Sequence, residues 1–157
     1  MNINTLTERE DPMGAAIRDY FRQGKSAQLK VLSSLFDDDE MPVAHLFRSY
    51  HEMPPLEQRA LNEARGKVLD VGAGAGCHAL ALQERGLDVT AVDISPLSCE
   101  TMKERGVANV ECVNIFNQRF QERFDTLLLL MNGTGIAGKL SPLPQLLSRL
   151  KQLLTPG

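Results

Sequence analysis

Residues 67–93, KVLDVGAGAGCHALALQERGLDVTAVD, restrict the fold more than any other stretch of the chain. Val68, Leu69 and Val71 make a β-rich apolar run. Gly72, Gly74 and Gly76 follow at alternate positions, where a backbone without Cβ admits close approach of a ligand or a helix. Ala79, Leu80 and Leu82 then begin a helical face that Gly86 ends, and Val89, Ala91 and Val92 form a second buried strand closing on Asp93. Strand, glycine turn, helix and strand together are half of a nucleoside-binding unit.

The same alternation continues to the end of the chain. Ser95 and Pro96 start a helix that runs through Leu97 and Met102 to Gly106, and Val110, Cys112 and Val113 form a third strand ending at Asn114, Ile115 and Phe116. After a polar connection over 118–123, Phe124 to Met131 contains four successive leucines, the pattern of a parallel strand buried on both faces. A glycine-rich loop occupies 132–138. Ser141 caps and Pro142 opens a last helix, with Leu143, Leu146, Leu147, Leu150, Leu153 and Leu154 as its apolar stripe. This order predicts an α/β fold, a Rossmann-like doubly wound parallel sheet of about four core strands with right-handed crossovers and its ligand at the carboxyl ends of the strands. Asp70, the glycines, Asp93, Asn114 and Asn132 all fall at those ends.

Ahead of this unit, residues 1–10 are polar and expected to fray. Asp11 caps a helix that begins at Pro12, carries Ile17, Tyr20 and Phe21, and ends at Gly24. Residues 28–36, with Leu29, Val31, Leu32, Leu35 and Phe36, fit an amphipathic helix or a strand. The acidic run Asp37 to Glu40 reads as a solvated turn, since it lacks the interleaved spacing and glycine of a calcium loop. Val43 to Phe47 is apolar and leads to Arg48, Tyr50 and His51. Pro54 and Pro55 open a helix that stops at Gly66. With no flexible linker before Lys67, residues 1–65 are expected to form a mainly helical cap or lid and 66–157 the ligand-binding domain.

Composition narrows the function. A formal charge of -3, with 17 Lys and Arg scattered through 157 residues, argues against electrostatic binding of nucleic acid. There is no membrane-length apolar stretch and no signal-peptide pattern, so a cytoplasmic protein is expected. Cys77, Cys99 and Cys112 lack a Cys-x-x-Cys spacing, and His45, His51 and His78 share no helical face, so no metal is expected.

A dinucleotide turn requires Gly-x-Gly-x-x-Gly or Ala, but the sixth position counted from Gly72 is Cys77. Asp70, two residues before the first glycine, would repel a pyrophosphate and attract a ligand bearing an ammonium and a sulfonium, which favours S-adenosylmethionine over NAD. Asp70, Gly72, Gly74 and Gly76 in this arrangement resemble the first motif of the class I S-adenosylmethionine-dependent methyltransferases. The resemblance covers 67–157. It implies that Asp93 holds both ribose hydroxyls, that Ile94 and Ile115 flank the adenine, and that Asn114, in place of the family's usual Asp, accepts from the adenine amino group. It further implies that Ala73 belongs to the cofactor loop and that Met131, Asn132 and Gly133 open toward the methyl group. Methyl acceptors in the family that are amino groups of bases or glutamine often meet an Asn or Asp-Pro-Pro-Tyr sequence at that place. Here the chain reads Met131, Asn132, Gly133, Thr134, Gly135, and a small-molecule acceptor is expected.

Tyr20, Arg48, Tyr50 and His51 are candidates for acceptor contacts, although Tyr20 more simply belongs to a core, His51 to an exposed loop, and His78 to packing or capping of the helix after the glycines. Family members continue into a seven-stranded sheet, whereas this sequence reaches only Thr155, Pro156 and Gly157. The chain is therefore expected to be truncated after the fourth core strand, or else to have that edge covered by the cap or by a second copy in a homo-oligomer. The alternatives to a methyltransferase are a nonenzymatic nucleoside-binding or assembly domain that keeps the fold, and an NAD-dependent oxidoreductase fragment.

Overall fold

The computed structural model describes residues 4–34 and 36–156. Leu35 of the ambiguous segment, the first three residues of the polar terminus and Gly157 lie outside the described residues.

The centre is a parallel sheet of β3 (Lys67–Val71), β4 (Asp88–Asp93), β5 (Asn109–Cys112) and β6 (Thr126–Leu128), in the order β5-β4-β3-β6, preceded in the chain by the small hairpin β1 (Leu29–Val31) and β2 (Asp39–Met41). The helices are α1 (Pro12–Gln23), α2 (Pro55–Glu63), α3 (Cys77–Glu84), α4 (Pro96–Glu104) and α5 (Leu143–Leu153). Successive residues of a strand point to opposite faces, and the core divides accordingly. Val68, Val89 and Ala91 pack with Leu61 of α2, Leu82 of α3 and Met102 of α4. Leu69, Val71 and Val92 face the other way, against Leu146, Leu150 and Leu153 of α5. This is the Rossmann-like α/β arrangement that the sequence implied.

Five expectations need correction. Residues 4–10 are tied down rather than frayed: the Leu6 amide donates to Ile94 O at 3.0 Å, and the Thr7 hydroxyl donates to Glu10 at 2.6 Å ahead of a 3-10 turn over Glu8–Glu10. Of the segment left open, Leu29–Val31 is a strand, and the acidic run is only partly a turn, because Asp39 and Glu40 pair with Val31 and Lys30 in the hairpin. Leu29 and Met41, opposite one another, pack near Ile17 and Val43, so tertiary burial decides between the two periods that the segment allows.

The leucine-rich strand is also shorter than its apolar run. Pairing with β3 ends at Asp70 and Leu128, because Gly72 (φ 73°) turns the chain away and its amide donates to Val92 O at 2.8 Å. Met131 and Asn132 then take left-handed φ values of 51° and 64°, incompatible with a continuing strand. Finally, α5 starts one residue after Pro142 without a side-chain cap, and its stripe narrows to Leu146, Leu150 and Leu153, with Leu147 exposed. β6 is an edge of the sheet; at its start Phe124 bridges in parallel to Leu154, which follows α5.

Among the described residues, the N-terminal segment does not cover that edge, apart from the Arg65 backbone, which exchanges hydrogen bonds with the Thr126 hydroxyl at its start. It packs α1 on α4, which connects β4 to β5. Asp11 caps α1 as expected, its Oδ1 accepting from the Gly14 amide at 2.8 Å, while its Oδ2 accepts from the Ser95 hydroxyl at 2.5 Å. A Cβ on Gly14 would lie 2.3 Å from Ser95 Oγ and 2.4 Å from Asp11 Oδ2. Gly14→Ala should consequently lower unfolding stability by about 1–3 kcal/mol, the usual cost of overpacking a tight contact, as measured by urea denaturation. An unchanged midpoint would show that the junction between α1 and α4 is slack.

Candidate functional site

Two cavities open at the carboxyl ends of the parallel strands and share Val71, Gly72, Asp93, Ile94 and Ile136 in their walls. One, of about 510 Å³, is mainly apolar, with Asn114, Ile115 and Phe116 after β5 and Ile136, Ala137 and Pro142 opposite. The other, of about 310 Å³, lies between the glycine turn and the N-terminal segment. Its wall contains Asp11, Asp70, His78, Asp93, Met131 and Asn132.

Asp93 stands at the junction. Its Oδ2 accepts from the Gly74 amide at 2.8 Å and its Oδ1 from the Ser95 amide at 2.9 Å, which fixes the carboxylate while leaving each oxygen capacity for another donor. Burial pushes its proton affinity up, the amides of Ser95 and Gly74 oppose this, and the nearby Asp11 adds to it. The Asn114 Oδ1 accepts from the Phe116 amide at 3.1 Å. Arg149, buried on α5, holds this loop by donating to Ile115 O at 2.8 Å and Asn117 O at 3.0 Å.

Asp70 is 2% exposed, and its Oδ2 has no hydrogen-bond partner among the described residues. Burial, aided by Asp93, lifts the carboxyl to about 6 against the pull of His78 and of the Ala79 amide in the first turn of α3. Near the end of β3 and against the first turn of α3, it places a negative charge where a dinucleotide-binding fold would seat a pyrophosphate. His78 Nε2 lies 2.8 Å from Glu57 Oε2 on α2. Burial opposes protonation of His78, but the neighbouring Cys77, Asp70 and Glu57 outweigh it and lift the imidazole to about 9.

Most of the residues proposed from sequence come together. Asp70, Gly72, Ala73, Gly74, Asp93, Ile94, Met131, Asn132 and Gly133 line the smaller cavity, and Asn114 and Ile115 the larger. Gly76 lines neither: its Cα faces the core, where a Cβ would come within 2.9 Å of Met102 and 3.1 Å of Val107. The acceptor candidates are elsewhere. Tyr20 packs on Phe47, with ring centroids 4.9 Å apart, and Tyr50 donates to Asn62 at 2.9 Å and stacks edge-on with an exposed His51. Arg48 is buried in an ion pair with Glu57. Sequence reading missed Leu6, Asp11, Ile17 and Met41 as cavity walls, because only the docking of the N-terminal segment brings them there.

Among the described residues, no cluster of three or more His, Cys, Asp or Glu could hold a metal ion, and no helix is long and apolar enough to cross a membrane.

A family model described as a methyltransferase domain matches residues 68–157. The chain is similar to a SAM-dependent methyltransferase from Bacteroides fragilis whose crystal structure is in complex with S-adenosyl-L-homocysteine. That chain is 55% identical with a TM-score of 0.93, and the match covers 99% of this chain and 65% of that one. It is also similar to the ubiquinone biosynthesis O-methyltransferase of Acinetobacter baylyi, 36% identical over 74 residues, which are 41% of this chain and 31% of that protein. The sugar N-methyltransferase KedS8 from Streptoalloteichus, 22% identical with a TM-score of 0.59 over 80% of this chain and 54% of its own, shares the fold. The chain thus spans less than two thirds of the length of each of these relatives. An acid-led glycine turn, an acid closing the second strand and a family match over more than half of the sequence lead to one assignment: the chain belongs to the class I S-adenosylmethionine-dependent methyltransferases.

Proposed function

We propose that this chain binds S-adenosylmethionine across the two cavities and is the cofactor-binding part of a methyltransferase acting on a small molecule. The observation that carries the reading is the buried, unpartnered Asp70 oxygen in a cavity also lined by Asp11 and Asp93, continuous at Asp93 with an apolar slot. Such a pair of chambers suits a ligand with a cationic end and a nucleoside end, and disfavours the pyrophosphate of NAD. Asp93 would take the ribose hydroxyls, Ile94 and Ile115 the faces of the base, Asn114 its amino edge, and Asp70 with the glycine turn the amino-acid end. When bound, the cofactor would supply an electrophilic methyl group for the acceptor.

The protein's own contribution is alignment and exclusion of water. Met131, Asn132 and Gly133 lie on the wall facing Asp70, with Met13, Ile17 and Met41 from the N-terminal segment on the side that would act as a lid. A small acceptor is supported by the lack of an aromatic clamp after β6, and by the 36% identical relative, named for O-methylation in ubiquinone biosynthesis.

Calorimetry with S-adenosylmethionine, S-adenosylhomocysteine and NAD tests the reading. The first two should bind saturably and NAD should not. A folded chain that ignores both sulfur ligands would be a nonenzymatic relative of the family, and methylation of adenine in DNA by this protein would overturn the small-molecule acceptor.

A further inference from the structure

The group of charges behind Asp70 has no place in the cofactor contacts just described. Arg48, 6% exposed, is paired through Nη2 with Glu57 Oε2, and the same oxygen lies 2.8 Å from His78 Nε2. Beyond His78 stands Asp70, with its unpartnered oxygen in the cavity. Arg48 is held in place by donating to His45 O at 2.7 Å, and Nη2 also lies 3.4 Å from the sulfur of Met131 on the cavity wall. Positive, negative, positive and negative groups therefore alternate from the N-terminal segment through α2 and α3 to the end of β3.

Such an order is unfavourable to interrupt. Burying any one of these charges alone costs several kcal/mol, and each neighbour of opposite sign offsets part of that cost. Burial by itself would raise Glu57, but His78 and Arg48 hold it below the ordinary carboxylate range. His78 is faced by Cys77 on its own helix, Asp70 from β3 and Glu57 from α2; Asp70 is faced by His78 and the Ala79 amide from α3 and by Asp93 from β4. Among the described residues, His78 is thus the cationic side chain that shifts Asp70. Anything that discharges it leaves Asp70 to be neutralised by a proton instead of by a ligand.

We propose that Arg48, Glu57 and His78 form a row of alternating charge that keeps the Asp70 carboxylate ionised for the cationic end of the bound cofactor, making Arg48 and Glu57 positioning residues. The proposal rests on the cofactor reading above and adds residues to it that touch no ligand. Through Arg48 it also ties the N-terminal segment to the cofactor site.

The test is the pH dependence of S-adenosylmethionine binding, with adenosine, which lacks the cationic end, as the companion ligand. In the wild type, affinity for S-adenosylmethionine should fall about tenfold for each pH unit below 6 while adenosine binding stays level. His78→Gln, which removes the cation, should move that fall upward by about one unit, weakening S-adenosylmethionine binding at pH 6.5 by roughly threefold, and Glu57→Gln should lower the pH at which the His78 imidazole gives up its proton. Arg48→Met should raise the Glu57 carboxyl toward its ordinary range, and Arg48→Lys should restore it. A folded Glu57→Gln protein whose His78 titrates as in the wild type overturns the row and leaves the cofactor reading standing. Failure of the wild type to bind either ligand overturns both. A measurement on the wild type alone guards against variants that do not fold: the His78 imidazole, followed by NMR, should keep its proton through pH 8, and titration at or below the ordinary value near 6.5 overturns the proposal.

Discussion

Asp93→Ala is expected to weaken S-adenosylmethionine binding by roughly a hundredfold to ten-thousandfold. Two hydrogen bonds from ribose hydroxyls to a carboxylate contribute about 1.5–3 kcal/mol each, and each 1.4 kcal/mol is a factor of ten. The loss comes on top of a local one. The Gly74 and Ser95 amides, which Asp93 accepts at 2.8 and 2.9 Å, lose their acceptor and with it the geometry of both loops. Stability should fall by about 2 kcal/mol, the usual cost of leaving such donors unmet where water reaches them only in part. Asp93→Asn separates the two effects, since its amide oxygen still accepts from one loop. Calorimetry and urea unfolding on the same preparations measure both, and a loss of affinity below tenfold would mean that the ribose is not held here.

Asp70→Asn should exchange affinity for stability. The folded protein holds this carboxyl at about 6, above its ordinary value of 3.8, so ionised Asp70 costs stability: the wild type loses stability as pH rises from about 4 to about 6, then levels off. The shift, which already contains the attraction of His78, corresponds to about 3 kcal/mol. At pH 8 Asp70→Asn should therefore be more stable than the wild type by as much as about 3 kcal/mol, with the gain vanishing toward pH 4. Binding of S-adenosylmethionine should drop at least tenfold, and binding of adenosine should not. His78 adds a second slope. Its folded value is raised from 6.5 to about 9, so its contribution is complete below 6.5 and is lost as pH climbs through 9. Unfolding curves between pH 4 and 9 resolve the two windows. A variant less stable than the wild type at pH 8 would show that the pairing with His78 exceeds the desolvation of Asp70.

Asp70, Gly72, Gly74 and Asp93 were legible in the sequence because their chemistry is local. A strand ends, a glycine turn follows, and the next strand of the unit returns its own acid to the same spot, all within 24 residues from 70 to 93. Asn114 and Asn132 could be placed from the alternation of strands and helices alone. The hairpin Leu29–Met41 was not legible, since a segment that fits both periods is decided by what it packs against, here α1 and the turn at Val43. The limits of β6 were hidden for a similar reason, because they depend on where Gly72 takes its neighbour. Asp11 could be read as a helix cap, yet nothing near it in the chain announces Ser95 as the donor to its other oxygen. Arg48, Glu57 and His78 are ordinary residues on separate elements, and only their meeting gives them a common role.

The bonds that join residues 4–14 to the loop after β4 also set a clock. Leu6 on the Ile94 carbonyl and Asp11 on the Ser95 hydroxyl bind the wall of the smaller cavity to the loop that carries Asp93. A ligand anchored on Asp93 and enclosed on that side departs this way only when these contacts part, so their opening frequency bounds its residence time through this exit. Amide hydrogen exchange at Leu6, with and without ligand, reads that frequency, and its slowing by ligand would mark segment and ligand as one kinetic unit.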